Sequence, residues 1–129
     1  MFFNRYFVPS FALIIIIALL HYLALDRAYY WTISWYDIMM HFLGGVWVAL
    51  FALWIFSSRK ISFLPTHISF LQIVSLVICV GIVWELYEIM FGLTFVSDPE
   101  YWGDTILDLV MDTIGGICVA FSIRNKSHV

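Results

Sequence analysis

Four long apolar stretches alternate with short polar segments along this chain. They cover residues 7–25, 36–56, 70–92 and 104–123. A helix needs about 20 apolar residues to cross the hydrocarbon core of a bilayer. The stretches are long enough for helices and lack the strict alternation of barrel strands. The pattern therefore predicts an all-α integral membrane protein, with four transmembrane helices in a compact bundle forming a single domain over residues 1–129.

Composition supports a membrane environment. Of the 129 residues, 64% are hydrophobic and only 12% are charged, whereas about a quarter of the residues of a soluble domain are charged. The first stretch resembles a signal peptide without a cleavage site, so we expect a retained anchor. Cys79 and Cys118 lie within apolar stretches and are expected to be core residues. The sequence has no basic patch that would indicate nucleic-acid binding.

The basic residues predict the orientation. Of the six basic residues, only Arg27 lies in the segment 26–35 between the first and second spans. The other five lie on the opposite side of the membrane in a four-span arrangement. Cytoplasmic segments of membrane proteins carry the excess of Lys and Arg, so we expect a multi-pass protein of the cell (inner) membrane with both termini cytoplasmic. The other basic residues on which this prediction depends are Arg5, Arg59, Lys60, Arg124 and Lys126.

The acidic residues have the opposite distribution. All nine fall in the outer loops or the outer halves of the predicted spans. Acidic residues contribute little to orientation, so this distribution needs another cause. The nine are Asp26, Asp37, Glu85, Glu88, Asp98, Glu100, Asp104, Asp108 and Asp112.

Two nine-residue segments share one pattern. Residues 37–45 read DIMMHFLGG and residues 108–116 read DLVMDTIGG. Residues four apart share a helix face, so Asp37 lies with His41, and Asp108 with Asp112. Glu85 and Glu88 share a face of the third span, and Asp104 extends the fourth by one turn. We expect the Gly-Gly pairs to let helices approach closely.

These positions predict one polar site in the outer half of the bundle. An ionised group near the bilayer centre costs about 2.5–3.5 kcal/mol, and no Lys or Arg lies in the last three spans. The carboxylates must therefore bind protons, bind a metal ion or face water. The candidate catalytic residues are Asp37, His41, Glu85, Glu88, Asp108 and Asp112. The candidate metal ligands are His41, Glu85, Glu88, Asp104, Asp108 and Asp112, with Asp104 at the mouth of the site.

Three interpretations remain open. In the first, the site binds Mg²⁺, Mn²⁺ or Zn²⁺ and acts as a hydrolase or transferase on a lipid or lipid-linked phosphate. In the second, the acids relay protons or ions through a transporter, which would require a homo-oligomer because four spans cannot line a pathway on all sides. In the third, the polar groups only hydrogen-bond to one another and hold the helices together.

The connecting segments carry further expectations. Residues 26–35 are rich in Tyr and Trp and are typical of an interfacial aromatic belt. The segment Ser97-Asp98-Pro99-Glu100 resembles a capping box that opens a short surface helix. We expect Tyr101 and Trp102 to follow it at the interface, and His21 to be interfacial with only Asp26 nearby.

The motifs also resemble a known family. An Asp-x-x-x-His-Phe-x-x-Gly segment begins at Asp37, the segment 84–88 reads WELYE, and 104–108 reads DTILD before the Ile-Gly-Gly at 114–116. This order is similar to that of YjdF-type inner-membrane proteins and, more distantly, of VanZ-like proteins, over residues 36–121. The resemblance implies a small multi-pass membrane protein and does not imply a particular reaction.

Overall fold

A computed structural model describes residues 4–58 and 68–124, with side chains to residue 122. The described residues form four long helices and one short one. Each long helix is long and apolar enough to cross a membrane, so the predicted all-helical membrane fold is confirmed. The side chains of Arg59, Lys60, Arg124 and Lys126, which carry the orientation prediction, lie outside the described part. The helices are α1 (Phe7–Asp26), α2 (Tyr29–Thr32), α3 (Tyr36–Ser57), α4 (Phe70–Phe91) and α5 (Tyr101–Arg124).

Local sequence signals define both ends of α4. Its first turn carries a capping box, in which Ser69 and Gln72 each satisfy the backbone N–H of the other. The helix ends at Gly92, whose φ of 67° is the left-handed conformation that glycine adopts without a steric penalty. These two signals define a helix of 22 residues.

The aromatic segment after α1 contains the short helix α2. The expectation for the loop before α5 is wrong. The segment 97–100 forms turns and no separate surface helix, because its carbonyls already accept from the start of α5. The N–H of Tyr101 donates to the carbonyl of Asp98 at 3.1 Å, and that of Asp104 to Glu100 at 3.0 Å. Tyr101 is buried, and only Trp102 is exposed.

Helix α3 is the centre of the bundle. It packs against α1, α4 and α5, and its contact with α5 is the most extensive. A Cβ on Gly45 would overlap the backbone of Asp112, and one on Gly115 would overlap the carbonyl oxygen of Phe42. The Gly-Gly pairs therefore allow the close approach of α3 and α5, as predicted. In contrast, the backbone of α1 lies close to α3 and α2 but not to α4 or α5.

The bundle has an apolar end and a polar end. Toward the C-terminal half of α3, the buried side chains of Val48, Leu53, Ile73 and Val77 form a hydrophobic core. Toward its N-terminal half, the buried residues include His41 and four carboxylic acids. Cys79 and Cys118 are free and exposed on the outer surfaces of their helices, so the expectation that they are core residues is wrong. A small side chain on a lipid-facing surface needs no buried partner.

Candidate functional site

His41 lies at the centre of the polar end. It is one helical turn after Asp37 on α3, and its side chain is only 1% exposed. Its ring nitrogen Nδ1 lies 3.1 Å from Oδ2 of Asp112, across the tight contact between α3 and α5. A carboxylate accepts and cannot donate, so an Nδ1–H donates to Asp112 in this bond. In the neutral imidazole, the second nitrogen, Nε2, then carries the lone pair, which can accept a hydrogen bond or bind a cation.

Three carboxylates from three helices surround that second nitrogen. Nε2 of His41 lies 3.8 Å from Oδ1 of Asp37, 4.0 Å from Oε1 of Glu85 and 3.8 Å from Oδ2 of Asp108. These distances are too long for hydrogen bonds. Glu88 is also close, because one of its oxygens, one of Glu85 and a nitrogen of His41 lie within 4.8 Å of one another. The site therefore gathers one imidazole nitrogen and several anionic oxygens around a small central space.

Three of the atoms that face this space have no hydrogen-bond partner within the described protein. They are Nε2 of His41, Oδ1 of Asp37 and Oε1 of Glu85, and each is buried. Buried polar atoms are normally paired, since an unpaired one costs about 1–3 kcal/mol or more when charged. The unpaired atoms point to a missing partner rather than to a finished hydrogen-bond network.

The outward-facing oxygens of the two glutamates are hydrogen-bonded. Thr105 donates its hydroxyl to Oε2 of Glu85 at 2.7 Å, and Trp84 donates its indole N–H to Oε1 of Glu88 at 2.8 Å. These bonds fix the two carboxylates and leave the Oε1 atom of Glu85 directed at His41. Their donors are neutral, so they do not offset the charge of the site.

Among the residues that the structure describes, no Lys or Arg side chain pairs with these acids. The sequence has no Lys or Arg in residues 28–58 or 68–123. Arg27, the nearest basic residue in sequence, pairs with Asp26 at 2.9 Å in an exposed ion pair. Its guanidinium therefore stabilises a carboxylate at the helix end and not the buried ones. Neutralisation of the site must come from protons or from a bound cation.

Three glycines lie against Asp112, and two of them, Gly45 and Gly81, leave no space for a Cβ. A Cβ on Gly81 of α4 would lie 2.5 Å from Oδ2 of Asp112, and one on Gly44 would lie 3.5 Å from Oδ1. Gly45 meets the backbone of the same residue. The carboxylate of Asp112 thus lies in a cradle of glycines from α3 and α4, which holds it against His41.

A polar cavity of about 290 Å³ adjoins the carboxylates. Asp37, Glu85 and Asp108 form its inner wall, and the segment 93–98 and α2 form its outer wall. Asp104 is exposed and lines this cavity, in agreement with its predicted place at the mouth. Tyr30 of α2 also lines it. Burial, followed by the carboxylates of Asp37 and Glu88, raises the pKa of the Tyr30 phenol, so this group remains protonated and able to donate.

The structure thus brings together most of the predicted site residues. Asp37, His41, Glu85, Glu88 and Asp108 converge on one space, Asp112 contacts the opposite nitrogen of His41, and Asp104 lines the mouth. The catalytic and metal-binding roles of these residues stay predictions.

Three residues around the polar site were not predicted from the sequence. Thr105 lies three residues before Asp108, and this helical spacing could have indicated its place. Tyr30 and His21 could not be identified, because their places depend on how α2 folds back. The expectation that His21 has only Asp26 nearby is wrong: its Nδ1 lies 2.6 Å from the hydroxyl of Tyr30, and the hydroxyl of Tyr87 lies 3.4 Å from its Nε2.

The comparisons with known proteins agree with this architecture. A family model described as a predicted membrane protein (DUF2238) matches residues 3–126. The resemblance to YjdF-type proteins is confirmed, since these form that same family. The more distant likeness to VanZ-like proteins finds no support in the match. No curated protein and no solved structure shows significant similarity to the chain.

Proposed function

This chain belongs to the DUF2238 family of predicted membrane proteins, and we propose that it binds a divalent cation between α3, α4 and α5. The ligands are Nε2 of His41 and one oxygen each from Asp37, Glu85 and Asp108. Glu88 lies close enough to complete the coordination or to hold a water ligand of the ion. The proposal gives the uncompensated acids of the bundle a common neutralising partner.

One observation carries the proposal. Three buried, unpaired atoms from α3 and α4 face one space, with Nε2 of His41 within 4.0 Å of each carboxylate oxygen. Ligand atoms about 2.0–2.2 Å from one ion lie about 3 to 4.4 Å apart. The distances from Nε2 of His41 to the three oxygens fall inside this range. The ligand atoms form two overlapping groups, one of Asp37, His41 and Asp108 and one of His41, Glu85 and Glu88, so an ion shared by all of them draws the α4 carboxylates toward those of α3 and α5.

Asp112 has a different role in this proposal. It contacts Nδ1 of His41, on the opposite side of the ring from the three carboxylates. Metal-binding histidines commonly donate their other N–H to a carboxylate, which fixes the tautomer and makes the ligand nitrogen more basic. Asp112 therefore acts as a positioning residue for His41.

The donor set defines the kind of ion. Several carboxylate oxygens with one imidazole suit Mg²⁺, Mn²⁺ or Zn²⁺, and the nitrogen favours Mn²⁺ or Zn²⁺ over Mg²⁺. Such an ion can polarise a phosphoryl or carbonyl oxygen and can lower the pKa of a bound water. A substrate group would approach through the polar cavity next to Asp37 and Asp108. We therefore propose hydrolysis or transfer at a lipid or lipid-linked phosphate as the reaction class.

The packing of the bundle disfavours a carrier. Below the site, α3, α4 and α5 meet in an apolar cluster of buried residues that includes Val48, Leu53 and Val77. An ion or proton pathway to the other membrane face would need polar groups or water there. The interpretation that the acids only hold the helices together leaves the unpaired atoms of His41 and Glu85 unexplained.

A titration with Mn²⁺ tests the proposal directly. Purified protein in nanodiscs is titrated, and free Mn²⁺ is measured by electron paramagnetic resonance. We expect one tight site per chain in the wild type and loss of that site in His41→Ala and in the nearly isosteric Glu85→Gln. Asp26→Asn, which removes an exposed acid from the pair with Arg27, is the matched control and should keep the site.

The outcome of the titration separates the alternatives. If a correctly folded wild-type protein binds no Mn²⁺, Mg²⁺ or Zn²⁺, both the ion site and the enzymatic role are removed. Uptake of protons or ions into proteoliposomes under a pH gradient would instead support the carrier. Unchanged function after replacement of the acids by Asn or Gln would support a purely structural role.

A further inference from the structure

A second cavity lies on the other side of His41. It has a volume of about 100 Å³ and sits between α1, α3 and α4. Its wall is apolar except where His41 and Asp112 contribute to it. The apolar residues that matter here are Ile14, Ile17, Trp47, Val77, Val80 and Trp84.

The imidazole of His41 lines the apolar cavity, together with Asp112. Its Nε2 lies within 4.0 Å of oxygens of Glu85 and Asp108, which line the polar cavity. The two cavities therefore approach each other across His41 and these carboxylates. This arrangement fits a ligand that has a polar head and a hydrocarbon tail.

The apolar cavity lies at the depth of the lipid tails. Ile14 and Ile17 are near the middle of α1, and Val77 and Val80 near the middle of α4. At 1.5 Å per residue, these positions are about 10–15 Å from the nearest end of each helix. The solvent at that depth is hydrocarbon and not water.

The gap between α1 and α4 gives this cavity a side opening. Over the described residues, no Cα atom of α1 lies within 8 Å of one in α4. Val80, on the cavity wall, is 38% exposed on the bundle surface. Near the polar end the ring of His21 bridges the gap, with centroid distances of 5.5 and 6.2 Å to Trp84 and Tyr87.

We infer that this cavity binds one hydrocarbon chain of an amphiphile whose polar head reaches the site around His41. The binding of the polar head to the ion rests on the proposed function. The site for the hydrocarbon chain, called the chain site below, rests on the apolar cavity alone. The volume is smaller than the roughly 150 Å³ of an apolar cavity that admits benzene, so it accepts a short length of a flexible chain. The chain enters laterally from the bilayer, between α1 and α4.

Photo-crosslinking tests the chain site. The probe is a phosphatidic acid with a diazirine at the middle of one acyl chain, present at low proportion in phosphatidylcholine nanodiscs. After illumination, labelled positions are mapped by mass spectrometry. We expect labelling at Ile14, Ile17 and Trp47 to exceed, several-fold, that at Leu107 and Cys118, which are exposed on α5.

Two variants of α4 provide a matched comparison. Val80→Trp places a large ring at the cavity wall and should lower labelling of Ile14 and Ile17 several-fold. Val83→Trp makes the same change one turn away, at a position that is 64% exposed and outside the cavity, and should leave labelling unchanged. Circular dichroism and size-exclusion chromatography of both variants should match the wild type, which shows that they are folded.

The possible results have distinct meanings. Equal labelling of α1 and α5, or labelling that Val80→Trp does not reduce, overturns the chain site and indicates only surrounding lipid. If labelling is sensitive to Val80→Trp but the wild type binds no Mn²⁺, the chain site stands and the ion site fails. If the wild type binds Mn²⁺ and labelling is not selective, the ion site stands alone.

Discussion

Nδ1 of His41 lies 3.1 Å from Oδ2 of Asp112, and this contact directs the opposite nitrogen toward Asp37, Glu85 and Asp108. The two residues come from α3 and α5 and are 71 positions apart in the chain. They occupy equivalent places in the two similar nine-residue segments. Because one nitrogen is committed to Asp112, the tautomer of His41 and the direction of its free lone pair are both fixed.

Asp112→Asn should weaken cation binding without removing it. The amide keeps a hydrogen-bond acceptor for His41 but loses the charge that makes Nε2 a stronger ligand. Loss of such a supporting carboxylate typically lowers metal affinity by about 10–100-fold. The Mn²⁺ titration measures this change, with Asp26→Asn as the control. An affinity equal to that of the wild type would contradict the positioning role, and complete loss would indicate that Asp112 is itself a ligand.

Gly81→Ala should displace the carboxylate of Asp112. The new methyl group would lie 2.5 Å from Oδ2 of Asp112 and 2.9 Å from a methyl carbon of Leu109, closer than van der Waals contact allows. We expect a Mn²⁺ affinity lowered roughly tenfold, similar to that of Asp112→Asn. Gly44→Ala is the matched control, since its methyl group would meet Oδ1 at an ordinary 3.5 Å. Equal affinities in the two alanine variants would refute the proposed cradle.

Gly115→Ala should destabilise the bundle. Its methyl group would overlap the backbone of α3 at Phe42, and a backbone cannot rotate away as a side chain can. Forcing extra volume into a packed contact typically costs about 1–3 kcal/mol. Unfolding in mixed micelles of increasing denaturing detergent measures this cost. Gly103→Ala in the same helix meets nothing within 4 Å and should be neutral, so similar losses in both variants would argue against the tight contact.

Cysteine labelling should establish the orientation. A Cys at Ser97, in the exposed loop before α5, should react with a membrane-impermeant maleimide added outside intact cells. A Cys at Ser127, beyond the last span, should react only after permeabilisation, because the basic residues predict a cytoplasmic C-terminus. The native Cys79 and Cys118 are within the spans and should not react in either case. The reverse pattern would place the polar cavity on the cytoplasmic side.

Much of the site could be predicted from helix periodicity and charge. The spacing of Asp37 and His41, and of Asp108 and Asp112, places each pair on one helix face. The absence of Lys and Arg in the spans indicates that their acids share a partner. However, the same reasoning treated Asp108 and Asp112 as equal members of the cluster. The structure places them on opposite sides of the His41 ring.

The contacts of Thr105 and Tyr30 could not be predicted from helix periodicity. Thr105 shares the Asp108 face of α5, yet its partner Glu85 belongs to α4. Tyr30 reaches the polar cavity because α2 turns back over the end of the bundle. Periodicity specifies which face of a helix a residue occupies, but not which neighbouring helix that face meets.

The sequence by itself determined the number of membrane spans, their approximate limits and the residues available for a polar site. Hydrophobic length and helical spacing are local properties, so they can be obtained from one chain without its neighbours. Only the tertiary structure decided which nitrogen of His41 faces the acids and that a cavity remains between α1 and α4. Both depend on how closely the helices approach and how they are rotated about their axes, which the contacts at Gly45, Gly81 and Gly115 fix in three dimensions.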